Sequence, residues 1–388
     1  MKPTQLDIYR VALPMRTFVH AAADRNLAES VVVRLTYSDG VVGWGETLPR
    51  EYVTGETLDG VVNDIVEHIW PACLEGGLLE PSDHPKEIPA TGGGRRFNAA
   101  AAVVDIAALR RILHRPGEVS PTVLQAIAGR PRLRNVIDAK VSGVLGWNDP
   151  GKTACRLRLM KWGDMRDYKL KLGLGEDVDR ENLRIVHRKL GRWLKKGEAT
   201  LRVDINGGWD EEATPQRVEE LKHYHVCCVE QPVFCSAGRF VELARRCELP
   251  LMADECLLTE RHAKTLLAEP QRIWWNLRIS KNAGLLPTLK LMQLAFRNDV
   301  PFTLGCMVGE SSILSAAQRR LLQMGPPPRF VEGSFGRLLL EDDLLAGRRS
   351  LLPGWGGSLR IRNGDGLGIE VSQDKLDRYG QLIRTLKA

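Results

Sequence analysis

Three acidic residues each close a short apolar run and recur at a nearly constant interval. Asp204 follows Leu201-Arg202-Val203, Glu230 follows Cys227-Cys228-Val229, and Asp254 follows Leu251-Met252-Ala253. The intervals are 26 and 24 residues, about one strand-and-helix unit each. Carboxylates at the ends of three neighbouring parallel strands converge on one place, where unneutralised they repel and raise one another's pKa. A divalent cation removes the conflict, and a set of hard oxygen ligands suits Mg2+ first and Mn2+ second. An isolated acid at such a position is an ordinary helix cap. Recurrence in three consecutive units is what favours a metal.

Lysines accompany the acids. Lys169-Leu170-Lys171 places two ammonium groups on one face of a strand, because strand side chains alternate. Lys281 comes 27 residues after Asp254, beyond the strand-like run Trp274–Ile279. In a ring of eight strands the second and the sixth lie opposite, so Lys171 and Lys281 would flank a substrate held by the metal. A free lysine, with a pKa of about 10.4, is protonated at neutral pH and cannot act as a base. A nearby cation and the Lys169 ammonium would lower that value, as base catalysis requires. The chemistry that needs this set is removal of the proton α to a carboxylate, through an enolate whose charge the metal neutralises as it forms. One lysine takes the proton. The other returns one to the opposite face, or stands as a cation while a leaving group departs.

The elements around these residues follow a strand-then-helix rhythm. Apolar runs occur at Ile137–Val141, Tyr168–Leu172, Leu201–Asp204, Cys227–Glu230, Leu251–Asp254, Trp274–Ile279, Phe302–Leu304 and Phe330–Glu332, with helix-length amphipathic segments between them. Such alternation predicts parallel strands with right-handed crossovers, and about eight units close a barrel. A doubly wound open sheet is the alternative, but no Gly-x-Gly-x-x-Gly follows the first strand. Before the barrel, Gln5–Ala12, Val31–Tyr37 and Val41–Glu46 read as strands, the last two joined by Ser38-Asp39-Gly40. Two helices are expected next, one carrying Leu58, Val61, Val62, Ile65, Ile69 and Trp70, the other over Phe97–Leu113. Pro and Gly between Arg115 and Asn135 mark a domain boundary. In the last segment, Leu359–Ile361 and Ile369–Val371 read as strands followed by a short helix. The resulting division is an α+β unit over 1–130, a barrel over 131–350, and a segment over 351–388 that returns to the first unit.

Composition narrows the classes. The chain has 388 residues, 43% hydrophobic and 27% charged, with a net charge of +7. That is an ordinary globular balance. The basic run Arg188–Lys196 reads as a solvated helix face, so no nucleic-acid partner is expected. The most apolar stretch, Ala99–Leu109, contains Asp105 and is too short to span a bilayer. The amino terminus lacks the apolar core of a signal peptide, and the expectation is a cytoplasmic protein without membrane contact. Eight cysteines form no CxxC pair, so Cys227-Cys228 reads as strand core. Gly309-Glu310-Ser311-Ser312-Ile313 is not a nucleophile elbow. A catalytically idle scaffold is disfavoured because burying a complete charged set is costly.

Taken as a series, Lys169-x-Lys171, Asp204-x-Asn206, Glu230-Gln231-Pro232, Ala253-Asp254-Glu255 and Ser280-Lys281 resemble the muconate lactonizing enzyme subgroup of the enolase superfamily. The amino-terminal strands, with Asp39-Gly40-Val41-Val42-Gly43-Trp44-Gly45-Glu46, resemble its capping domain. The resemblance implies a modified (β/α)7β TIM-type barrel closed by an α+β cap. It implies Asp204, Glu230 and Asp254 as Mg2+ ligands, Lys171 and Lys281 as the acid/base pair, and Lys169 as partner of the substrate carboxylate. Asn206 and Glu255 would orient these groups. The mandelate racemase subgroup, which uses a His at a late strand end, is not matched by any of the eight histidines. Tyr52–Thr57 and Gly305-Cys306-Met307 resemble dipeptide epimerases, but the Asp-x-Asp pair that holds a dipeptide ammonium is absent, and Glu332 stands in its neighbourhood. The expected activity is that of an isomerase, a racemase or epimerase of a dipeptide or N-acylamino acid, with cycloisomerase or lyase chemistry as the alternative. Arg16, Arg50, Glu310 and Glu332 are the candidate substrate contacts. The expected partner is a small carboxylate, and assembly into a symmetric homo-oligomer is compatible with so large a barrel.

Overall fold

The structure is a computed structural model and describes residues 2–20, 23–75, 97–112, 133–134, 137–146, 149–173, 175–347, 351–361 and 364–388. Apart from residues 133–134, the Pro- and Gly-rich stretch before Asn135 lies outside the described residues.

Eight parallel strands form one sheet in sequence order: β4 (Gly143–Leu145), β5 (Asp167–Lys171), β6 (Thr200–Asp204), β7 (Cys228–Glu230), β8 (Leu251–Ala253), β9 (Ile273–Leu277), β10 (Phe302–Leu304) and β11 (Phe330–Val331). The sheet closes on itself just before β4. Val141 bridges Val331 in parallel, and the Ser142 amide donates to the Val331 carbonyl at 2.8 Å. Ile137–Val141, expected as the first strand, does not form one, and the strand starts two residues later. The reason is competition: the Val141 amide bonds the Gly357 carbonyl at 2.8 Å and Lys140 bridges Ser358, so the carboxyl-terminal segment takes this backbone.

Alternation along the strands sorts the side chains. Leu170, Val203, Val229, Ala253, Trp275 and Leu277 belong to the large core shared with the surrounding helices. Cys228, Met252, Trp274 and Phe330 form a separate small cluster. Two residues further along β7 and β9 on the same face stand Glu230 and Asn276, so the apolar cluster floors a polar layer.

The second sheet is antiparallel, in the order β12 (Gly380–Lys387), β1 (Pro3–His20), β2 (Ala23–Tyr37), β3 (Val42–Thr47). The β2–β3 turn takes Gly40 at φ +80, with Val41 donating to Asp39 Oδ1 at 3.2 Å. The expected first helix forms as Leu58–Asp64, capped by Thr57 Oγ1, then passes through a π-helical turn at Ile65–Ile69 into Trp70–Leu74. The second forms as Asn98–Ile112 and lies against β3, where a Cβ at Gly43 or Gly45 would fall on the Ala107 or Val103 carbonyl. The last segment holds the expected short helix, at Gln373–Tyr379, but neither Leu359–Ile361 nor Ile369–Val371 is a strand, Val371 making only an isolated bridge to Leu345. β12 instead pairs with β1, from Gln5 opposite Lys387 to Val11 opposite Gly380. All eight cysteines are free thiols. Among the described residues, no helix is long and apolar enough to cross a membrane.

Candidate active site

In register, β5, β6 and β7 place Lys169 beside Arg202, Lys171 beside Asp204, and Asp204 beside Glu230. Lys169 Nζ lies 2.6 Å from Glu332 Oε2, 3.2 Å from both Glu230 oxygens and 3.3 Å from Asp204 Oδ2. Burial opposes its charge, but these three carboxylates outweigh burial and raise its pKa. Lys171 Nζ donates to Asn206 Oδ1 at 2.8 Å and stands 3.4 Å from Asp204 Oδ2. Asp204 is fully buried, yet Lys171, Lys169 and Arg278 hold its carboxyl below the usual range. Glu230, equally buried, is shifted upward by that burial. Glu332 is held below the usual range against its burial by Lys169 and Arg202, the latter pairing at 2.8 Å.

The far wall is built by β8 and β9. Lys281, wholly buried, directs its Nζ at Asp254 Oδ1 at 2.8 Å, and at the Asp254 and Asn276 carbonyls at 2.7 Å each. Burial foremost, with the Arg278 guanidinium next, drives its pKa well below the lysine range. Asp254 also pairs with Arg278. Asn276 joins the two walls, since its Nδ2 donates to Glu230 Oε1 at 2.8 Å while its carbonyl accepts from Lys281.

Whether these groups suit a divalent cation is decided by their oxygens. Both Glu255 oxygens are buried without a hydrogen-bond partner, whereas Asp204 Oδ2 faces Lys169 and Lys171 and Asp254 Oδ2 faces Arg278 as ion-pair partners. Burial pushes Glu255 up to about 7, and the Asp204 charge adds to this. Buried carboxylate oxygens lacking donors are costly, and a hard cation satisfies them. Among the described residues no three His, Cys, Asp or Glu side chains are grouped closely enough to hold one ion. Cationic side chains stand at the acids instead, Lys169 between Asp204 and Glu230, and Arg278 and Lys281 at Asp254. The donor chemistry fits a divalent cation, with these ammonium and guanidinium groups as its competitors.

A sequence profile described as enolase C-terminal domain-like matches residues 154–375, more than half of the chain. The chain belongs to that family. It is 25% identical to the N-succinyl-L-Arg/Lys racemase of Bacillus cereus over 97% of both chains. A crystal structure of that racemase superposes with a TM-score of 0.83 at 23% identity, covering 99% of this chain and all of the other. The L-Ala-D/L-Glu epimerase of Bacillus subtilis is 28% identical over 82% of this chain and 84% of its own. Muconate cycloisomerase 1 of Acinetobacter baylyi is 26% identical over 90% and 91%. The fold is therefore the enolase-superfamily barrel with its cap, of the muconate lactonizing type, and the chain is an enzyme of that racemase, epimerase and cycloisomerase group.

The family's barrel does not bring every candidate contact into the polar layer. Glu332 enters it through Lys169 and Arg202. The Arg50 guanidinium is buried and donates to the Pro49 carbonyl at 2.8 Å, the Glu29 carbonyl at 3.3 Å and the Val308 carbonyl at 3.5 Å, which ties the cap to the loop after β10. Arg16 is exposed, and its amide bonds the Leu339 carbonyl at 2.9 Å. Glu310 Oε1 accepts from the Met307 amide at 2.6 Å, and burial pushes its pKa up to about 8.

Several side chains were not singled out from sequence. Arg202 is fully buried, with Nη2 on Ser142 Oγ at 2.8 Å and its guanidinium 4.1 Å above the Phe330 ring. Its signal was available, since alternation puts it on the same face as Asp204. Gln231 Oε1 accepts from the Asp254 and Cys256 amides at 2.8 and 3.3 Å and so sets the loop that carries Asp254. Three of the cap's buried carboxylates accept the amides of helix starts. Glu46 takes the Ser311 amide and hydroxyl and the Leu314 amide, which caps the barrel helix Ser312–Met324. Asp105 takes the Leu285 and Leu286 amides at the start of the barrel helix Leu285–Arg297. Glu56 takes the Ala99 and Ala100 amides within the cap. No local pattern announces such long-range caps.

Proposed function

We propose that this enzyme carries out 1,1-proton transfer at the α-carbon of a small carboxylate, racemising or epimerising an N-acylated amino acid or a dipeptide. The observation that carries this reading is the placement of Lys171 and Lys281 on opposite walls of one buried, carboxylate-rich layer, the first at the end of strand two and the second in the turn after strand six of eight. Asp204, Glu230 and Asp254 would hold a divalent cation, Mg2+ by its preference for hard oxygens. When bound, that ion supplies positive charge to the substrate carboxylate and so acidifies the α-proton.

The chain's own residues do the rest. Lys171 removes the α-proton from one face, oriented by Asn206. Lys281 delivers a proton to the other face, its Nζ aimed by the carbonyls of Asp254 and Asn276. In the reverse direction the roles exchange. Lys169 stays protonated among its three carboxylates and offers a fixed positive charge to the substrate carboxylate. Gln231 sets the Asp254 loop, and Glu255, expected to orient these groups, makes no side-chain hydrogen bond. The capping role of residues 1–130, the barrel over 131–350 and the returning segment over 351–388 are part of the same reading.

Glu332 bears on the substrate. Both of its oxygens are engaged, by Lys169 and Arg202, so it is poorly placed to receive a free substrate ammonium, which favours an N-acylated amino group over a free one. The similarity to an N-succinyl-amino-acid racemase along nearly the whole chain supports the same choice. The test is incubation of the Mg2+-loaded protein in D2O with N-succinyl amino acids and dipeptides. Deuterium at the α-carbon with inversion is expected. A new alkene or lactone without α-exchange would instead identify elimination or cycloisomerisation.

A further inference from the structure

The segment that carries Lys281 is gripped from outside the barrel. Asn98, the first residue of the cap helix Asn98–Ile112, donates through Nδ2 to the Lys281 carbonyl at 2.7 Å and to the Leu258 carbonyl at 3.0 Å. Seven residues on, and so on the same helix face, Asp105 accepts from the Leu285 and Leu286 amides. Both side chains are more than nine-tenths buried. Together they hold the stretch Lys281–Leu286 at its two ends.

Between the grips the backbone is strained. Ala283 lies at φ +64 and Gly284 at φ +119, the first in a region that residues with a Cβ rarely occupy. A Cβ at Gly284 would collide with the Asp105 carboxylate, so the turn and the cap helix fit each other closely. Strained turns persist only where their surroundings over-determine them. Within the barrel, Asn282 supplies part of that constraint, accepting from the Arg278 amide at 2.9 Å and donating to the Leu257 carbonyl at 3.0 Å. The Lys281 carbonyl itself is held by the cap.

We infer that the cap helix positions Lys281, with Asn98 and Asp105 as positioning residues for proton transfer on that face. The inference rests on the role assigned to Lys281 above. It makes the cap a part of the proton-transfer apparatus, and it predicts an asymmetry. Loosening the grip disturbs Lys281 but leaves Lys171, on the opposite wall, in place.

The test uses the full-length Mg2+-loaded enzyme with Asn98→Leu, which keeps the branched outline of the side chain and removes the donor. Asn98→Asp, which turns an acceptor toward the two carbonyls, serves as the second variant should the first fail to fold. One measurement is backbone hydrogen–deuterium exchange over residues 278–286, expected to rise about tenfold while that of residues 167–173 stays at the wild-type value. The other is α-proton exchange in D2O, followed separately from N-succinyl-L-lysine and N-succinyl-D-lysine. The hand deprotonated by Lys281 should lose about ten- to a hundredfold, as expected for a displacement approaching 1 Å, and the other hand should lose far less. Unchanged backbone exchange, or equal losses from both hands, overturns the positioning role. Lys281→Ala run in parallel separates the two failures. If it exchanges both hands at the wild-type rate, the assignment of Lys281 falls. If it loses one hand while Asn98→Leu loses neither, the positioning role alone falls.

Discussion

Replacing Glu46 by Gln should change the pH dependence of stability in a defined direction. Glu46 lies on β3, fully buried, and burial pushes its carboxyl from 4.5 up to about 7, with Asp343 adding a like charge. The Ser311 amide and hydroxyl and the Leu314 amide work the other way, because they favour the ionised form. A carboxyl whose pKa is raised on folding binds more protons in the native than in the unfolded chain between those two values. Unfolding free energy therefore falls as pH rises through that window and is level above it. The whole shift is worth about 3 kcal/mol at about 1.4 kcal/mol per unit, of which about 2.5 kcal/mol falls between pH 5 and pH 8. Gln is the neutral isostere, so Glu46→Gln loses this slope. Urea unfolding of both proteins at pH 5 and pH 8 should show the variant gaining about 2.5 kcal/mol on the wild type across that interval. A difference that is the same at both pH values would mean that Glu46 is ionised throughout, its amide and hydroxyl donors having outweighed burial, and the reasoning would be refuted.

Other outcomes follow from the polar layer. Lys171→Ala and Lys281→Ala should each lower turnover by about 10²–10⁴-fold, the usual share of a positioned acid or base, while far-UV circular dichroism stays at the wild-type signal. Arg202→Met leaves Glu332 buried with one partner fewer and should cost about 3–5 kcal/mol in urea unfolding. Arg202→Met combined with Glu332→Leu should recover much of that loss. Dialysis against EDTA should abolish α-proton exchange, with Mg2+ restoring it and Mn2+ the second choice. Asp204→Asn should prevent the restoration, as read by isothermal titration with Mg2+.

The candidate site was legible where charge and strand period coincide. Asp204, Glu230 and Asp254 each end a strand-like run, and Lys169-x-Lys171 carries its own alternation, so short windows contain the whole signal. The eight-strand order followed from the same runs. Legibility failed where a residue's role depends on a partner far along the chain. The strand expected at Ile137–Val141 was displaced because Gly357 and Ser358, more than two hundred residues away, take its hydrogen bonds. β12 was missed because Gly380–Lys387 is half exposed and carries little apolar patterning, and its pairing with β1 is what makes it a strand. Arg202 shows a different limit. An arginine inside an apolar run reads as an exception until Glu332, directly after the eighth strand, supplies its countercharge. Glu46 and Asp105 were silent for the simplest reason: a cap on another segment's helix leaves no trace in its own neighbourhood.

The two capping carboxylates also bear on how such enzymes can be recombined. The cap donates a terminus-closing acid to each of two successive barrel helices, so neither module is self-sufficient in its own secondary structure. A chimera that grafts a foreign cap onto this barrel to import a new specificity would open both helix starts unless the graft brings acids at the places of Glu46 and Asp105. The joint between modules, more than the loops over the substrate, would then limit which exchanges yield a folded hybrid.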